Sequence, residues 1–327
     1  MPGRCGVLRF YASEIMSTEF KIFAAPVQGH TDAAWRALHT AEYSPGSDAY
    51  FTPFMRVEKG APRLKDIADL DAMREGVEVV PQVIFRDAGE LRILLEALSG
   101  RGERRIDINM GCPFPLQTAR GRGAAVIADR GLLESVSGLL RQYPDVEFSG
   151  KMRLGLRSAD EWEATMDVIS SMPLSQLTVH PRYARQQYGG VPDMDAFGRL
   201  VALSAHPVIY NGDIRTPDDI SRLRKEHPKI FGVMVGRGLL GRPSLIEEYR
   251  NGAEMAATER LERQLSFHAR LLDHYRGVLC GDGQILSKIK PFWEYAQDEI
   301  GRKAWKAIRK STTMPKYLSA IAMIGKS

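Results

Sequence analysis

The chain has 327 residues, 44% of them apolar and 26% charged, the balance of a soluble globular protein with room for one large domain and a smaller one. Its net charge of +5 is mildly basic, no apolar run reaches membrane-spanning length, and the three cysteines (Cys5, Cys112 and Cys280) lack pairing or metal-ligand spacing. These features exclude a membrane-spanning helical protein, a disulfide framework and a cysteine-built metal centre, and they point to a reducing cytoplasm.

Residues 1–19 carry Arg4 and Arg9 but only a broken apolar stretch, and read as an N-terminal extension rather than a secretory signal. Met16 is an alternative start. From residue 20 onward, short β-rich runs alternate with helical patterns. The predicted strands are Ile22–Ala25, Ala49–Thr52, Val79–Ile84, Ile106–Asn109, Glu147–Met152, Gln176–His180, Val208–Asn211 and Gly232–Val235. Helical patterns lie at Asp87–Leu98, Leu132–Gln142, Ala159–Met172 and Thr216–Glu226. The last opens with Thr216-Pro217-Asp218-Asp219, a capping hydroxyl followed by Pro and two acids. Eight such units over residues 20–241 predict an α/β fold, a (β/α)8 TIM barrel. A doubly wound sheet is disfavoured because Ala25-Pro26-Val27-Gln28-Gly29 lacks the Gly-x-Gly-x-x-Gly turn. Residues 242–327, entered through Arg242-Pro243, read as an all-helical domain with amphipathic stretches at Glu254–Leu279 and Ile285–Ile324.

The strand ends gather the residues that can do chemistry. Strand one ends in Pro26, Val27 and Gln28, and strand three carries Gln82. Strand four runs Asp107-Ile108-Asn109-Met110-Gly111-Cys112-Pro113, where Gly and Pro stop the ladder and display a thiol on the turn. Strand five ends with Lys151 and Arg153, and strand six with His180 and Arg182. Strands seven and eight end in Asn211-Gly212-Asp213 and Gly236-Arg237-Gly238, turns that suit a phosphate, with Arg237 adding a fixed charge. Lys151 has three readings: a Schiff-base lysine, a cation beside an electron-rich cofactor ring, or a salt-bridged rim lysine. His180 is either structural or functional. Phe114, Tyr183 and Tyr188 offer stacking faces for a base. Basic residues cluster at Arg101, Arg104, Arg105, Arg120 and Arg122 around the Cys112 segment. A second cluster runs from Lys288 and Lys290 through Arg302, Lys303, Lys306, Arg309 and Lys310 to Lys316. If each cluster faces one way, a polyanion is the expected partner.

Taken together and in order, these motifs resemble the tRNA-dihydrouridine synthases. The resemblance rests on Ala25-Pro26, Gly29-x-Thr31-Asp32, Asn109-x-Gly111-Cys112-Pro113, Gly123-Ala124, Lys151-x-Arg153-x-Gly155, His180-x-Arg182, Asn211-Gly212-Asp213 and Gly236-Arg237-Gly238. It implies FMN at the barrel mouth, NADPH (or NADH) as reductant and tRNA as substrate. The uridine C5=C6 bond would receive hydride from FMN N5 at C6 and a proton from Cys112 at C5. It also implies flavin contacts from Pro26, Val27, Gln28, Gln82, Lys151, His180, Asn211, Gly212, Asp213, Gly236 and Arg237. Asn109, Arg153, Arg182 and Tyr188 fall on the substrate side, and the helical domain would bind tRNA. No metal and no membrane enter, and a monomer is expected. Val27 stands where the family usually has Met, and Pro181 and Tyr183 depart from its usual His-Gly-Arg-Thr. The Gln187-Tyr188 pair resembles a bacterial, DusC-like subgroup. Three other readings use the same residues: an FMN-dependent reductase of a small pyrimidine, similar to dihydroorotate dehydrogenase; a Schiff-base lyase through Lys151; and a non-catalytic RNA-binding barrel.

Overall fold

The computed structural model describes residues 19–325; the extension up to residue 18, with Cys5 and Met16, lies outside them, as do residues 326–327. The strands are β1 (Lys21–Ala24), β2 (Ala49–Phe51), β3 (Val57–Glu58), β4 (Ala61–Pro62), β5 (Val79–Val80), β6 (Gln82–Val83), β7 (Arg105–Met110), β8 (Glu147–Gly155), β9 (Leu174–Tyr183), β10 (Val208–Asn211) and β11 (Gly232–Val235). Between and after them lie α1 (Ala33–Glu42), α2 (Leu64–Asp71), α3 (Ala88–Gly100), α4 (Pro115–Thr118), α5 (Arg130–Leu140), α6 (Met166–Ser171), α7 (Met194–Leu203), α8 (Pro217–Glu226), α9 (Arg237–Gly241) and α10 (Leu245–Asn251). The chain ends with α11 (Ala257–Val278), α12 (Asp282–Ile289), α13 (Gln297–Ile300), α14 (Arg302–Lys310) and α15 (Met314–Ile321).

Nine strands form one sheet in the order β5-β2-β1-β11-β10-β9-β8-β7-β6, while β3 and β4 make a separate hairpin. Only Pro81 separates β5 from β6, so the two ends of that order are halves of one interrupted strand and the sheet closes into a barrel. The run expected as a single strand over Val79–Ile84 breaks there because proline has no N–H to donate; its carbonyl still accepts from Asp107 N–H at 2.9 Å.

Side-chain alternation divides each strand between an outer face, packed on the helices, and the barrel interior. Outward go Ile22, Ile106, Ile108, Met110, Phe148, Met152, Leu177, Val179, Val233 and Val235, all in the main apolar core. The interior is split. Phe23, Phe51, Val80, Ile209 and Met234 form an apolar cluster on one side. On the other side, the alternate positions of β6–β9 are polar and buried: Gln82, Asp107, Asn109, Ser149, Gln176, Thr178 and His180. A dry polar half-lumen costs free energy unless its groups are paired or serve a ligand.

Local signals account for the helix starts. Asp87 Oδ1 accepts from Glu90 N–H at 2.8 Å, and Asp129 and Asp193 cap α5 and α7 in the same way. Thr216 and Asp219 form the reciprocal capping box expected from their spacing. Asp32 does double duty. Its Oδ1 accepts from Trp35 N–H at 3.1 Å, while its Oδ2 accepts from Tyr275 Oη at 2.8 Å and Lys288 Nζ at 2.7 Å. One carboxylate thus joins the first barrel helix to the C-terminal helices.

Two expected helices come out shorter. The stretch Ala159–Met172 opens with a 3-10 turn over Glu161–Thr165 before α6 begins. The Glu161 carboxylate folds back onto the N–H groups of Leu156 (2.7 Å) and Arg157 (2.8 Å). The stretch Ile285–Ile324 is not one helix: Pro291, Gly301 (φ +79°) and Pro315 divide it among α12, α13, α14 and α15.

Burial sets the acid response of this fold. His39 lies between Tyr50 Oη (2.7 Å) and Pro243 O (2.9 Å), and burial pulls its pKa down to about 4. His268, 2.6 Å from Tyr317 Oη, is pulled down to about 3. Below the ordinary histidine pKa the unfolded chain takes up protons that these rings refuse. Stability is therefore full above about pH 6.5 and falls on acidification, by up to about 1.4 kcal/mol per pH unit for each ring. Asp66 and Asp107, whose pKa values burial raises, act in the opposite sense. From these two rings, urea unfolding at pH 5 is expected to give about 4 kcal/mol less stability than at pH 7.5; equal values would contradict this.

Candidate active site

A cavity of about 260 Å³ opens at the carboxyl ends of the barrel strands. Its wall includes Pro26, Val27, Gln28, Gln82, Asn109, Cys112, Lys151, Arg153, His180, Tyr188, Asn211, Gly212, Gly236 and Arg237. Strands from β1 round to β11 thus contribute to one cleft, because most of these residues end or directly follow a strand. Gly236 leaves the backbone bare, where a Cβ would meet Ala25 Cβ at 3.4 Å and Val27 Cγ2 at 3.8 Å.

Cys112 is less displayed than the sequence suggested. It is 7% exposed, clusters with Phe54 and Ile84, and still lines the cleft. Burial raises the thiol pKa, against the pull of the Phe114 backbone hydrogen bond and the Arg153 and Lys151 charges, so the sulfur keeps its proton at neutral pH. The turn that carries it rests on the segment after α4: Ala124 N–H donates to Cys112 O at 3.1 Å. Gly123 makes this approach possible, with φ +62° and a would-be Cβ 2.6 Å from Cys112 O. Gly123→Ala is expected to cost about 1–3 kcal/mol in urea unfolding, because backbone rather than a flexible side chain must move. A variant as stable as the parent would refute the close approach.

Beneath the thiol, the polar half-lumen forms a chain. Gly111 N–H (3.1 Å) and Cys112 N–H (2.9 Å) donate to Asn109 Oδ1, and Asn109 Nδ2 donates to Gln82 Oε1 at 2.6 Å. Gln82 Nε2 donates to Asp107 Oδ2, and Ser149 Oγ to Asp107 Oδ1, both at 2.6 Å.

Cations surround the opposite wall. Lys151 Nζ has no hydrogen-bond or ion-pair partner among the described residues, and burial, helped by Arg153 and opposed by Asp107 and Cys112, lowers its pKa to about 8. The rim-salt-bridge reading of Lys151 therefore fails. His180 is held neutral, first by burial and then by the charges of Arg153, Lys151, Arg182 and Arg237. Arg182 Nη1 lies 3.1 Å from His180 Nε2; because arginine only donates, Nε2 accepts and the ring proton sits on Nδ1.

Two predicted site residues stand behind the cleft. Arg182 is fully buried. It pairs with Asp213 (2.6 Å) and donates to Gly189 O and Gly190 O, so it fixes the loop bearing Tyr188 instead of reaching a substrate. Asp213 faces Arg182 and Arg237 (2.8 Å), whose charges outweigh burial and hold its pKa low. Arg153, whose pKa burial lowers to about 10, donates to Gln187 O at 2.7 Å. Arg237 lies 4.0 Å over the Tyr188 ring. Two arginines thus hold the loop, and a third stacks on the aromatic it presents.

The cleft also contains residues that sequence reasoning missed: His30, Pro53, Phe54, Glu294 and Tyr295. Glu294 and Tyr295 come from the helical region and close the mouth, with Glu294 3.3 Å from His30 Nε2. Trp305 Nε1, on α14, donates to Glu294 O at 3.1 Å. On α14 itself, Arg302, Lys303, Lys306, Arg309 and Lys310 are exposed and form no ion pair among the described residues. The basic cluster near Cys112 does not hold together. Arg101, Arg104 and Arg105 lie before or at the start of β7, at the far end of the barrel and roughly 20 Å of strand away. Arg101 pairs with Asp71 and Arg105 with Glu78, while Arg122 is buried on Glu90. Among the described residues no His/Cys/Asp/Glu group could hold a metal, and no helix is long and apolar enough to cross a membrane.

Compared with known proteins, the chain matches the family model described as Dihydrouridine synthase (Dus) over residues 23–316. It is similar to a probable tRNA-dihydrouridine synthase of Rhodobacter capsulatus, 29% identical over 276 residues that cover 81% of this chain and 82% of the relative. A second similar protein is the tRNA-dihydrouridine(16) synthase of Cupriavidus necator, 26% identical over 298 residues, covering 85% of this chain and 90% of the relative. Among solved structures, morphinone reductase aligns with a TM-score of 0.52 at 12% identity, over 72% of this chain and 86% of that one, a likeness of fold.

Proposed function

Because the chain belongs to the dihydrouridine synthase family, we propose that it reduces the C5=C6 bond of a uridine in tRNA to 5,6-dihydrouridine, with FMN seated in the cleft and NADPH (or NADH) as reductant. The observation that carries this reading is the pairing, in one cleft, of a protonated thiol with an unpartnered ammonium. A flavin fits the residues present. Lys151 offers a charge with no ion-pair partner among the described residues, His180 a fixed Nδ1–H donor, and Gly236 a bare edge beside Ala25 and Val27. Gln28, Gln82, Asn211, Gly212 and Arg237 complete the proposed contacts, with Asp213 acting through Arg237. Reduced FMN, when bound, supplies the hydride that uracil C6 receives.

The protein's own residues do the rest. Cys112 Sγ–H breaks and its proton goes to uracil C5; the thiolate left behind faces the Arg153 and Lys151 charges and regains a proton from water. Lys151 and His180 hold the negative charge that gathers on the ring carbonyls during reduction. Asn109 and Arg153 border the uracil, and Tyr188, backed by Arg237, offers it a stacking face. The uridine must leave its stacked setting to enter, at a cost of roughly a few kcal/mol that phosphate contacts offset. Those contacts come from residues 242–327, with α14 foremost, while residues 20–241 hold the flavin. A tRNA substrate and a free thiol both suit the cytoplasm, and a single chain supplies the whole cleft.

The test is purified protein with FMN, NADPH and unmodified tRNA, followed by mass mapping of uridines that gain two hydrogens. A yellow protein that modifies one or a few uridines is the expected result. A colourless protein that takes up no FMN, or one that leaves every uridine unchanged, sinks the reading.

A further inference from the structure

A buried carboxylate in a barrel lumen demands a reason, and Asp107 is wholly inaccessible to solvent. The hydrogen-bond chain supplies one, because its direction is forced. The backbone N–H groups of Gly111 and Cys112 can only donate, so the oxygen of the Asn109 amide must face them. Its nitrogen then faces Gln82, which fixes the Gln82 oxygen toward Asn109 and the Gln82 nitrogen toward Asp107. The two amides thus run one way, and an acceptor at Asp107 orients both.

We propose that Asp107 is a positioning residue for the reaction: as the last acceptor of this one-way chain, it fixes the amide faces of Gln82 and Asn109 and, through Asn109, the backbone turn that presents Cys112. The claim rests on the proposed reductase chemistry for its kinetic consequence, but its structural half stands apart from it. A rival account makes Asp107 only the counter-charge of Lys151, whose ammonium it favours.

Substitutions separate the two. Asp107→Asn keeps an oxygen for Gln82 and turns its new N–H₂ toward Ser149 Oγ, so the chain survives while the charge disappears. Asp107→Ala removes the acceptor. Gln82→Glu sets two carboxylates face to face, and adding Asp107→Asn restores a donor between them. The primary readout is amide hydrogen exchange at Gly111 and Cys112. Asp107→Ala is expected to speed it roughly tenfold or more, and Asp107→Asn to leave it near the parent value. Gln82→Glu is expected to lose protection and the Gln82→Glu/Asp107→Asn double variant to regain it. In dihydrouridine formation, Asp107→Ala should lower kcat by about 100-fold with little change in KM for tRNA, the signature of a misplaced proton donor.

Unchanged exchange in Asp107→Ala overturns the proposal, as does an Asp107→Asn variant as impaired as Asp107→Ala. Should Asp107→Ala fail to fold, the Gln82→Glu pair decides, and a double variant that stays unprotected overturns it. If the parent protein makes no dihydrouridine while the exchange pattern follows the chain, the reductase reading fails and the positioning role stands.

Discussion

Cys112→Ala is expected to fold, take up FMN and accept electrons from NADPH, yet form dihydrouridine about 10²–10⁴-fold more slowly than the parent. The sulfur packs against Phe54 and Ile84, so its removal leaves only a small cavity and a modest stability cost. The cations and glycines that line the opposite wall make no hydrogen bond to the sulfur among the described residues. What disappears is the one acidic proton on this side of the cleft, kept on sulfur because burial outweighs the two nearby positive charges. Cys112→Ser keeps the shape but supplies a far weaker acid, and should recover little of the rate. A single-turnover assay with pre-reduced protein isolates the chemical step, and full activity of Cys112→Ala in that assay would eliminate the thiol as proton donor.

The second large effect concerns the substrate rather than the chemistry. Replacing Arg302, Lys303, Lys306, Arg309 and Lys310 together by Gln is expected to weaken tRNA binding by about 10²–10³-fold and flatten its salt dependence, at roughly 0.7–0.9 in log–log slope for each phosphate no longer neutralised. These side chains are exposed and without ion-pair partners among the described residues, Arg309 lying 4.4 Å over the Trp305 ring, so replacing them leaves the apolar face of α14 (Ala304 and Ile308) in place. Deleting residues 242–327 would be a poorer test. It would strip Tyr295 and Glu294 from the cleft and uncover Trp35 and His39, which pack against Phe267 of α11. Filter binding across a salt series gives the measurement; an unaltered slope would move the tRNA-binding surface off α14.

Much of the barrel and its cleft is legible in the order of amino acids, for a definite reason. A parallel barrel strand is short, rich in β-branched residues, and ends in Gly, Pro or Asn, so its carboxyl end is marked in the sequence, and the cleft is the sum of those ends. Lys151, His180, Asn211 and Arg237 are all marked that way. Residues that reach the cleft from elsewhere carry no such mark. Glu294 and Tyr295 follow a proline-broken turn inside a stretch whose pattern suggests one amphipathic helix, and the close packing of that turn on Gly241 of α9 and on His30 brings them over the mouth. Arg182 shows the reverse error: it stands two positions after His180, on the same strand face, yet its guanidinium turns to Asp213 and two loop carbonyls. Adjacency in sequence also misleads for Arg105 and Arg122, which flank Cys112 in the chain but belong to opposite ends of the cylinder. Asp107 reads as an ordinary polar position in a strand; its meaning lies in partners on β6 and β8.

The divided lumen has a practical corollary for anyone redesigning this scaffold. The flank built from Phe23, Phe51, Ile209 and Met234 will accept exchanges of similar volume, at about 1 kcal/mol apiece. The facing flank accepts a like-sized swap only where every donor still meets an acceptor, as in Asp107→Asn but not in Gln82→Glu. Diversity for new substrates is therefore best introduced at the roof and the Tyr188 loop, leaving the hydrophilic wall untouched.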